Sequence, residues 1–357
     1  HTSLAGMELS AIVYSQEFVG LFGADNSATF QDVTIAPRGT LYDQSRSVAS
    51  KYGSKVGVTK DGLLDGRLKL TFGFDTLVDE GKQDMYGTKR TFVPESTYRN
   101  LSLFTQGEFK LTDKLTLHAG ARREDADLEV DSYRTLAAYN NTYVEGGKIK
   151  FNETLLNAGL VLEPVKDVTL YANYSEGFGL PDIGRTLRSI NTPGQSIGSL
   201  RNLEPILTDG VEGGARVRKG DWEFDASYYR SDSDFGARVV SVGGVFMMAR
   251  EKTRLEGIEA KVAHRFNAKH RASLSYARTK GRYDSDNDGS LDAKLDGLNV
   301  APDRVLASWT ANWSDRLSSL VQAQHAFSQD FDEPAKRFSG YTLVDAAIVW
   351  TSADQRF

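Results

Sequence analysis

An acidic segment near the end of the chain carries the oxygen ligands that a calcium ion prefers. Four carboxylates occupy positions 1, 3, 5 and 9 of a calcium loop, with Gly289 at position 6; they belong to Asp284, Asp286, Asp288 and Asp292. Position 12 is Leu295, so the bidentate carboxylate that completes such a loop is missing. We therefore expect an acidic, solvated loop, and a calcium site is the alternative.

A second segment, 181–202, is rich in arginine. It contains Arg185, Arg188 and Arg201 against one acid, Asp182, so its net charge is +2 (three minus one) in a chain of net charge −5. The planar, permanently charged guanidinium is suited to binding paired oxygens of an anion. Arg185 and Arg188 are three residues apart and share a side only if the segment is locally helical. The segment predicts an anion-binding site, with contacts to lipid phosphates or to solvent as the alternative.

The sequence lacks the patterns expected of an enzyme. The internal histidines are scattered at His118, His264, His270 and His325, without the spacing of a metal site. Cysteine is absent, and there is no Gly-x-Ser-x-Gly nucleophile elbow. We therefore expect a protein that is not an enzyme and needs no cofactor, apart from the calcium alternative.

Composition narrows the class of protein. The 357 residues are 40% hydrophobic and 25% charged, which is too hydrophobic for a disordered chain. The negative net charge does not favour a nucleic-acid binder. No apolar run approaches the ~18 residues of a membrane helix. The composition is still compatible with a membrane β-barrel, because the strands of such a barrel carry apolar residues only at every second position.

Alternation with a period of two recurs along the chain and predicts β-strands. Between Met7 and Ser352 we count about fourteen strands by this criterion. Connections at one end are two to four residues, as at Val165–Asp167, whereas those at the other end, as at Pro181–Asn202 and Asp284–Pro302, reach about twenty residues. Short turns on one side and long loops on the other are typical of an outer-membrane barrel.

The alternation also predicts which side chains face lipid. They are Leu68, Leu70, Phe72, Phe74, Val168, Leu170, Ala172, Phe224, Ala226, Val305, Ala307, Val344, Ala346 and Ile348. Three tryptophans, Trp222, Trp313 and Trp350, lie next to short turns, the last before a turn predicted at Ala353–Gln355. Such positions indicate an aromatic girdle at one membrane interface.

Four motifs in order resemble the barrel of TonB-dependent siderophore receptors. They are 150–157 with 170–181 (KFNETLLN and LYANYSEGFGLP), 250–260 (REKTRLEGIEA), 296–304 (DGLNVAPDR) and 338–345 (FSGYTLVD). The resemblance implies an all-β fold, a transmembrane antiparallel β-barrel with short periplasmic turns and long extracellular loops. Family barrels have 22 strands around an N-terminal plug. We therefore expect residues 1–357 to be an incomplete barrel of about 14 of 22 strands, without the plug domain and the last strands.

The resemblance also implies a function. We expect an outer-membrane receptor that imports a ferric siderophore by TonB-dependent active transport, with iron carried inside the ligand. A passive porin-like channel, or a receptor for cobalamin or a sugar, is the alternative. Expected partners are the ferric siderophore, outer-membrane lipid and lipopolysaccharide, and the TonB complex, engaged through the absent N-terminal part. We expect a monomer in the bacterial outer membrane, with Arg185, Arg188 and Arg201 as ligand-binding residues.

Overall fold

The structure is a computed structural model that describes residues 2–4, 6–242, 245–331 and 333–352. Fourteen long strands account for most of these residues, which confirms the predicted number. They are β1 (Met7–Asp25), β2 (Asp43–Gly62), β3 (Leu68–Met85), β4 (Thr91–Thr112), β5 (Leu115–Val130), β6 (Gly147–Val165), β7 (Val168–Gly179), β8 (Ile206–Lys219), β9 (Trp222–Val242), β10 (Val245–Arg265), β11 (His270–Tyr283), β12 (Arg304–Ser314), β13 (Leu317–Ala326) and β14 (Tyr341–Trp350).

Each long strand pairs antiparallel with the next along the chain, so the order in the sheet is the order in the sequence. Four short strands supplement them: Thr2–Leu4 pairs with β1, Ala293–Lys294 with β11, and Tyr133–Arg134 with Tyr143–Val144. Among the described residues no ladder joins the β1 edge to β14, so the sheet is open. This agrees with the predicted incomplete barrel.

Helical structure is limited to short pieces. The Leu63–Gly66 turn and the Ile183–Arg188 helix are accompanied by 3-10 turns at Ala137–Tyr139, Ile197–Ser199, Arg201–Leu203 and Pro334–Lys336. No helix within the described ranges has the length and apolar character needed to cross a membrane.

Short and long connections are segregated as predicted. Two-residue turns at 113–114, 166–167, 220–221 and 315–316 lie at one end of the sheet, and folded loops at 131–146, 180–205 and 284–303 lie at the other. Two connections depart from this general pattern. The five-residue connection 86–90 is a tight turn on the long-loop side, and β2 runs through to Gly62, so its turn falls at 63–67. The β9–β10 tip at Gly243–Gly244 and the turn predicted at Ala353–Gln355 lie outside the described residues.

The two faces of the sheet differ in chemistry. The predicted lipid-facing residues share one face through the strand registers, and Phe72 and Ile348 are 52% and 76% exposed there. We call this the apolar face. The opposite, polar face carries a charged network in which Arg122 donates to Asp75 at 2.5 Å and to Glu124. Phe104 also lies on the polar face, with the Lys55 ammonium 5.2 Å above its ring. Apolar and polar alternation on opposite faces is the pattern of a barrel wall between lipid and an aqueous lumen.

Aromatic side chains cluster on the apolar face near the short turns. Trp222 stacks on Phe224 with ring centroids 5.6 Å apart and on His264 at 4.1 Å. Trp313 packs edge-on against Trp309 at 5.7 Å. These positions agree with the predicted girdle.

The sheet curves around its polar face. The Ile183–Arg188 helix contacts both β4 and β10, although strands β5–β9 lie between those two in the sheet. A flat sheet could not bring them within reach of one six-residue helix, which is about 9 Å long. The helix therefore lies across the concave, polar side at the long-loop end.

Candidate ligand-binding site

The long loop 180–205, between β7 and β8, is a folded element. Its helix begins at an aspartate cap, because the Asp182 carboxylate accepts from the backbone N–H of Arg185 at 2.8 Å. Leu187, Ile197 and Leu203 are fully buried in a cluster with neighbouring loop and strand residues. Each such burial contributes about 1.5–3 kcal/mol. The loop is therefore held in one place, as a ligand-binding surface requires.

A neighbouring loop, 131–146, supports this arrangement from the side. Tyr133 is buried, and its hydroxyl donates to the carbonyl of Leu187 at 2.7 Å. The carbonyl of Leu187 is near the helix end, where carbonyl groups lack intrahelical partners. Tyr133 thus adds a hydrogen bond at the helix end and joins the two loops.

Residues 183–188 are helical, so Arg185 and Arg188 meet the condition for lying on the same side of the segment. The Arg185 guanidinium is half-exposed, with its Nε 3.2 Å from the Asp182 carboxylate. The Arg188 guanidinium lies 4.9 Å from the Phe92 ring centroid. Its Nε is buried and has no hydrogen-bond partner among the described residues.

Arg188 is the less compensated of the two cations. Burial lowers the pKa of its guanidinium, and the nearby Tyr139 and Asp182 offset this only in part. Within the described part of the chain it forms no ion pair with a carboxylate. A buried cation without an anionic partner is costly. An incoming anion would supply the missing partner.

Arg201 is placed differently from the other two arginines. Its side chain is 79% exposed, and its Nε lies 3.4 Å from the Glu204 carboxylate. The turn Arg201–Leu203 that carries it packs against the Ile183–Arg188 helix. The structure therefore brings Arg185 and Arg188 onto one helix and leaves Arg201 at its margin.

Arg250 on β10 anchors the end of the same loop. Its guanidinium donates to five backbone carbonyls at 2.7–3.2 Å; they belong to Asn202, Glu204, Pro205, Phe235 and Gly236. Arg250 is 9% exposed and stacks 4.1 Å from the centroid of the Phe235 ring. All five N–H donors of an arginine are satisfied in this way. We name this arrangement the Arg250 clamp.

Sequence reasoning did not find the Arg250 clamp. Arg250 opens one of the motifs that carried the family resemblance, but its acceptors are main-chain carbonyls, which have no residue-type signature. All five lie within two residues of Phe235 or Glu204. A bulge interrupts the β9–β10 register between Ser233 and Gly236, which explains why carbonyls at 235 and 236 are free to accept.

The acidic loop brings three of its four predicted ligands together. Carboxylate oxygens of Asp284, Asp286 and Asp288 lie within 4.8 Å of one another. Asp292 instead accepts from the Ser285 backbone N–H at 2.9 Å and hydroxyl at 2.7 Å, which lowers the pKa of its carboxyl. Leu295 at position 12 is buried. Three carboxylates alone provide fewer oxygens than the six to eight that calcium takes.

We expect no saturable calcium binding at this loop. Isothermal titration of the full-length receptor with millimolar calcium should give no heat that depends on Asp284. A titration heat that disappears in Asp284→Ala but persists in a control Asp315→Ala, on a short turn, would establish the calcium alternative.

Comparison with known proteins identifies the family. The sequence model described as "TonB dependent receptor-like, beta-barrel" matches residues 10–355. The chain belongs to this family, whose members are outer-membrane receptors and transporters. The predicted family and fold are thereby confirmed.

Relatives and solved structures are consistent with this assignment. The chain is 25% identical to the rhizobactin receptor of Rhizobium meliloti strain 1021 over 326 residues, covering 78% of the chain and 41% of the relative. It is 22% identical to the ferric aerobactin receptor of Klebsiella pneumoniae over 382 residues, covering 92% and 50%. The chain thus spans about half the length of these relatives.

The fold is shared with solved receptors at low sequence identity. The copper transporter OprC superimposes with a TM-score of 0.75 at 13% identity, over 97% of this chain and 56% of that protein. The ferric yersiniabactin uptake receptor FyuA from Yersinia pestis superimposes with a TM-score of 0.70 at 14% identity, over 98% and 51%. These likenesses establish the fold. From the alternation of apolar and polar side chains we infer that the apolar face is the lipid side and the polar face the lumen side.

Proposed function

We propose that this chain forms part of an outer-membrane receptor that imports a ferric siderophore by TonB-dependent active transport. Two relatives are named for rhizobactin and ferric aerobactin, which supports a siderophore as the ligand class. The plug and the remaining strands are proposed to lie elsewhere in the full-length receptor, and TonB to act through the N-terminal part. Iron is cargo within the ligand, so no resident cofactor is required.

Arg188 is the observation that carries the proposed binding site. It is a half-buried cation without an acidic partner among the described residues, on a helix that lies across the lumen side at the extracellular end. A ligand that enters the barrel from outside would come close to this helix. Siderophores commonly present carboxylate or hydroxamate oxygens, which suit the guanidinium fork.

The residues around Arg188 hold the loop in position for contact with the ligand. Asp182 holds the first turn of the helix and approaches Arg185, so Arg185 is positioned but remains half-exposed. The Arg250 clamp and the buried Leu187 fix the loop before the ligand arrives. A rigid loop loses little entropy on binding, which favours affinity.

Charge reversal at both arginines tests the proposed site. In the full-length receptor, Arg185→Glu with Arg188→Glu should weaken binding of ferric aerobactin by at least about 100-fold, because two charge-assisted hydrogen bonds of about 1.5–3 kcal/mol each are lost. Binding can be followed with radioactively labelled ferric aerobactin. Lys294→Glu, a reversal in another extracellular loop, serves as the matched control and should leave affinity unchanged.

A milder variant separates binding from folding. Arg185→Gln leaves the backbone N–H that Asp182 caps, so the helix should persist while affinity falls several-fold. Heat-modifiable migration in electrophoresis checks that each variant forms a barrel. Unchanged affinity and iron uptake in the double reversal would show that this loop is not the anion site.

A further inference from the structure

One row of uncharged residues crosses the lumen side of eight neighbouring strands. The strand registers connect its members directly from β2 to β9. Thr71 shows which face they share, because it alternates with the lipid-facing Phe72 and because directly paired residues lie on one face. The members are Thr59, Thr71, Gln106, Gly120, Asn157, Ser175, Gly210 and Ser231. We call them the neutral row.

Charged side chains flank the neutral row on both sides. Toward the short turns, the next lumen-facing row contains the directly paired Lys69 and Glu108, and further along it contains Glu212. Toward the long loops, Arg122 on β5 donates to the carboxylate of Asp75. The absence of charge is therefore a property of this row and not of the lumen wall as a whole.

The neutral row rises along the wall, because the strands of such barrels are tilted by about 40° from the membrane normal. Thr59 lies four residues before the turn at 63–67 (63 minus 59), which is about 13 Å along the strand. Gly210 lies ten residues before the turn at 220–221 (220 minus 210), which is about 33 Å. Along the membrane normal these distances are about 10 and 25 Å, and the apolar band of such barrels is about 25 Å tall. The row thus climbs from near the short turns to the base of the long loops.

The upper end of the neutral row lies below the loop that carries the arginines. Ser175 is four residues before Gly179, where β7 ends (179 minus 175), and Gly210 is four residues after Ile206, where β8 begins (210 minus 206). The loop 180–205 connects these two strands and contains the Ile183–Arg188 helix. A ligand released from this helix into the lumen therefore enters it beside the upper end of the row.

The side chains of the neutral row offer hydrogen bonds that the wall itself does not use. Gln106, Asn157 and Ser175 are exposed, and their side chains form no hydrogen bond with any residue of the described ranges. A methyl group at Gly120 would lie 2.8 Å from the amide nitrogen of Asn157, so the glycine gives that amide room against the wall. Hydrogen bonds from neutral amides and hydroxyls are weaker than those from a charged guanidinium. The row can therefore contact an oxygen-rich ligand without holding it tightly.

We propose that the ferric siderophore passes down the lumen wall along the neutral row. This inference rests on the proposed function and adds the route that the ligand takes after it leaves Arg185 and Arg188. Passage requires contacts that are favourable but weak and repeated at several sites. Neutral polar groups on neighbouring strands about 4.8 Å apart meet this requirement. An arginine in the row would retain an anionic ligand, and a carboxylate would repel it.

Two double variants of the full-length receptor test the route. Gln106→Glu with Asn157→Asp places two carboxylates on the neutral row with almost no change in side-chain size. Gln322→Glu with Gln324→Glu does the same on the lumen side of β13, away from the row, and is the matched control. The heights agree, because Gln106 and Asn157 lie seven and nine residues from a short turn (113 minus 106, 166 minus 157). Gln322 and Gln324 lie six and eight residues from one (322 minus 316, 324 minus 316).

Surface binding and uptake are measured on the same cells with radioactive ferric aerobactin and ferric rhizobactin. The Gln106/Asn157 variant should lower the maximal rate of TonB-dependent uptake about tenfold, because an anionic ligand must pass two carboxylates. Its Kd for surface binding should stay unchanged, and the Gln322/Gln324 variant should change neither quantity. Equal uptake by the Gln106/Asn157 variant and the wild type, or equal losses in both double variants, would overturn the route alone. Absence of uptake of both siderophores by the wild type would overturn the proposed function and the route together.

Cysteine labelling distinguishes the ligand from another part of the receptor as the occupant of the neutral row. The chain has no cysteine, so Asn157→Cys and Gln324→Cys can each be followed with a thiol reagent in a full-length receptor without other cysteines. During uptake, the ferric siderophore should slow labelling at position 157 and leave position 324 unaffected, and the difference should vanish without TonB. Equal protection at both positions would overturn the proposal. So would faster labelling at position 157 during uptake, the result expected if the row faced a receptor segment that moves away.

Discussion

An arginine at Phe72 is expected to lower the unfolding free energy of the barrel by about 2–4 kcal/mol, whereas one at Thr71 should have a mild effect. Phe72 is exposed on the apolar face and lies in the interior of β3, away from the turn at 63–67. An arginine there must place its charge in hydrocarbon. Thr71 points to the lumen side, where its hydroxyl lies 3.0 Å from that of Thr59. A charge at Thr71 can remain hydrated.

The measurement is a reversible denaturant titration of the full-length receptor in lipid vesicles. Phe72 and Thr71 are adjacent on β3, so the pair differs in the face and hardly in depth. If arginine costs the same at both positions, the assignment of the lipid face is wrong.

Replacing Arg250 by alanine should release the loop that carries the arginines, with a local stability loss of about 3–5 kcal/mol, typical of breaking a buried charged network. Five backbone carbonyls would lose their hydrogen-bond donor in a region that water reaches poorly, and each unsatisfied carbonyl is costly. Arg250→Lys should recover only part of the loss, since lysine has three donors and no planar fork.

Hydrogen exchange resolves where this loss occurs. Amides of 180–205 should exchange much faster in Arg250→Ala, while those of β3 and β4 should be unchanged. Arg254→Ala is the matched control, because Arg254 lies on the same strand but pairs with Asp232 on the lipid side. Affinity for ferric aerobactin should fall with the exchange protection and recover partly in Arg250→Lys. Native protection of 180–205 in Arg250→Ala would show that the clamp does not hold the loop.

The strands were predictable because each carries its own information. The alternation of apolar and polar residues in β3 or β9 indicates a strand between two different environments, and ten residues are enough to recognise it. The short connection 86–90 was not anticipated, because the preceding segment runs on in strand conformation to Met85 with mixed polar residues on both faces. Above the membrane both faces meet water, and the alternation that marks a strand is lost.

The candidate site was predictable in part. The excess of arginine in 181–202 was visible, but the burial of Arg188 against Phe92 depends on a residue 96 positions earlier (188 minus 92). The carboxylate spacing in the acidic loop predicted that Asp284, Asp286 and Asp288 would converge. It did not predict that the Asp292 carboxylate would instead accept a hydrogen bond from the Ser285 hydroxyl, which competes with a metal for that carboxylate. Tertiary contacts thus determine which charged side chains remain available to bind a ligand or a metal ion.

Uptake of a radioactive ferric siderophore by a bacterial host that lacks its own siderophore receptors tests the central claim most directly. The full-length receptor is expressed in this host, with and without a functional TonB, and supplied with ferric aerobactin or ferric rhizobactin at nanomolar concentration. We expect saturable accumulation of iron for at least one of the two, abolished without TonB and strongly reduced by reversal of Arg185 and Arg188. Absence of binding and uptake of both siderophores, or uptake that continues unchanged without TonB as through a passive channel, would contradict this account.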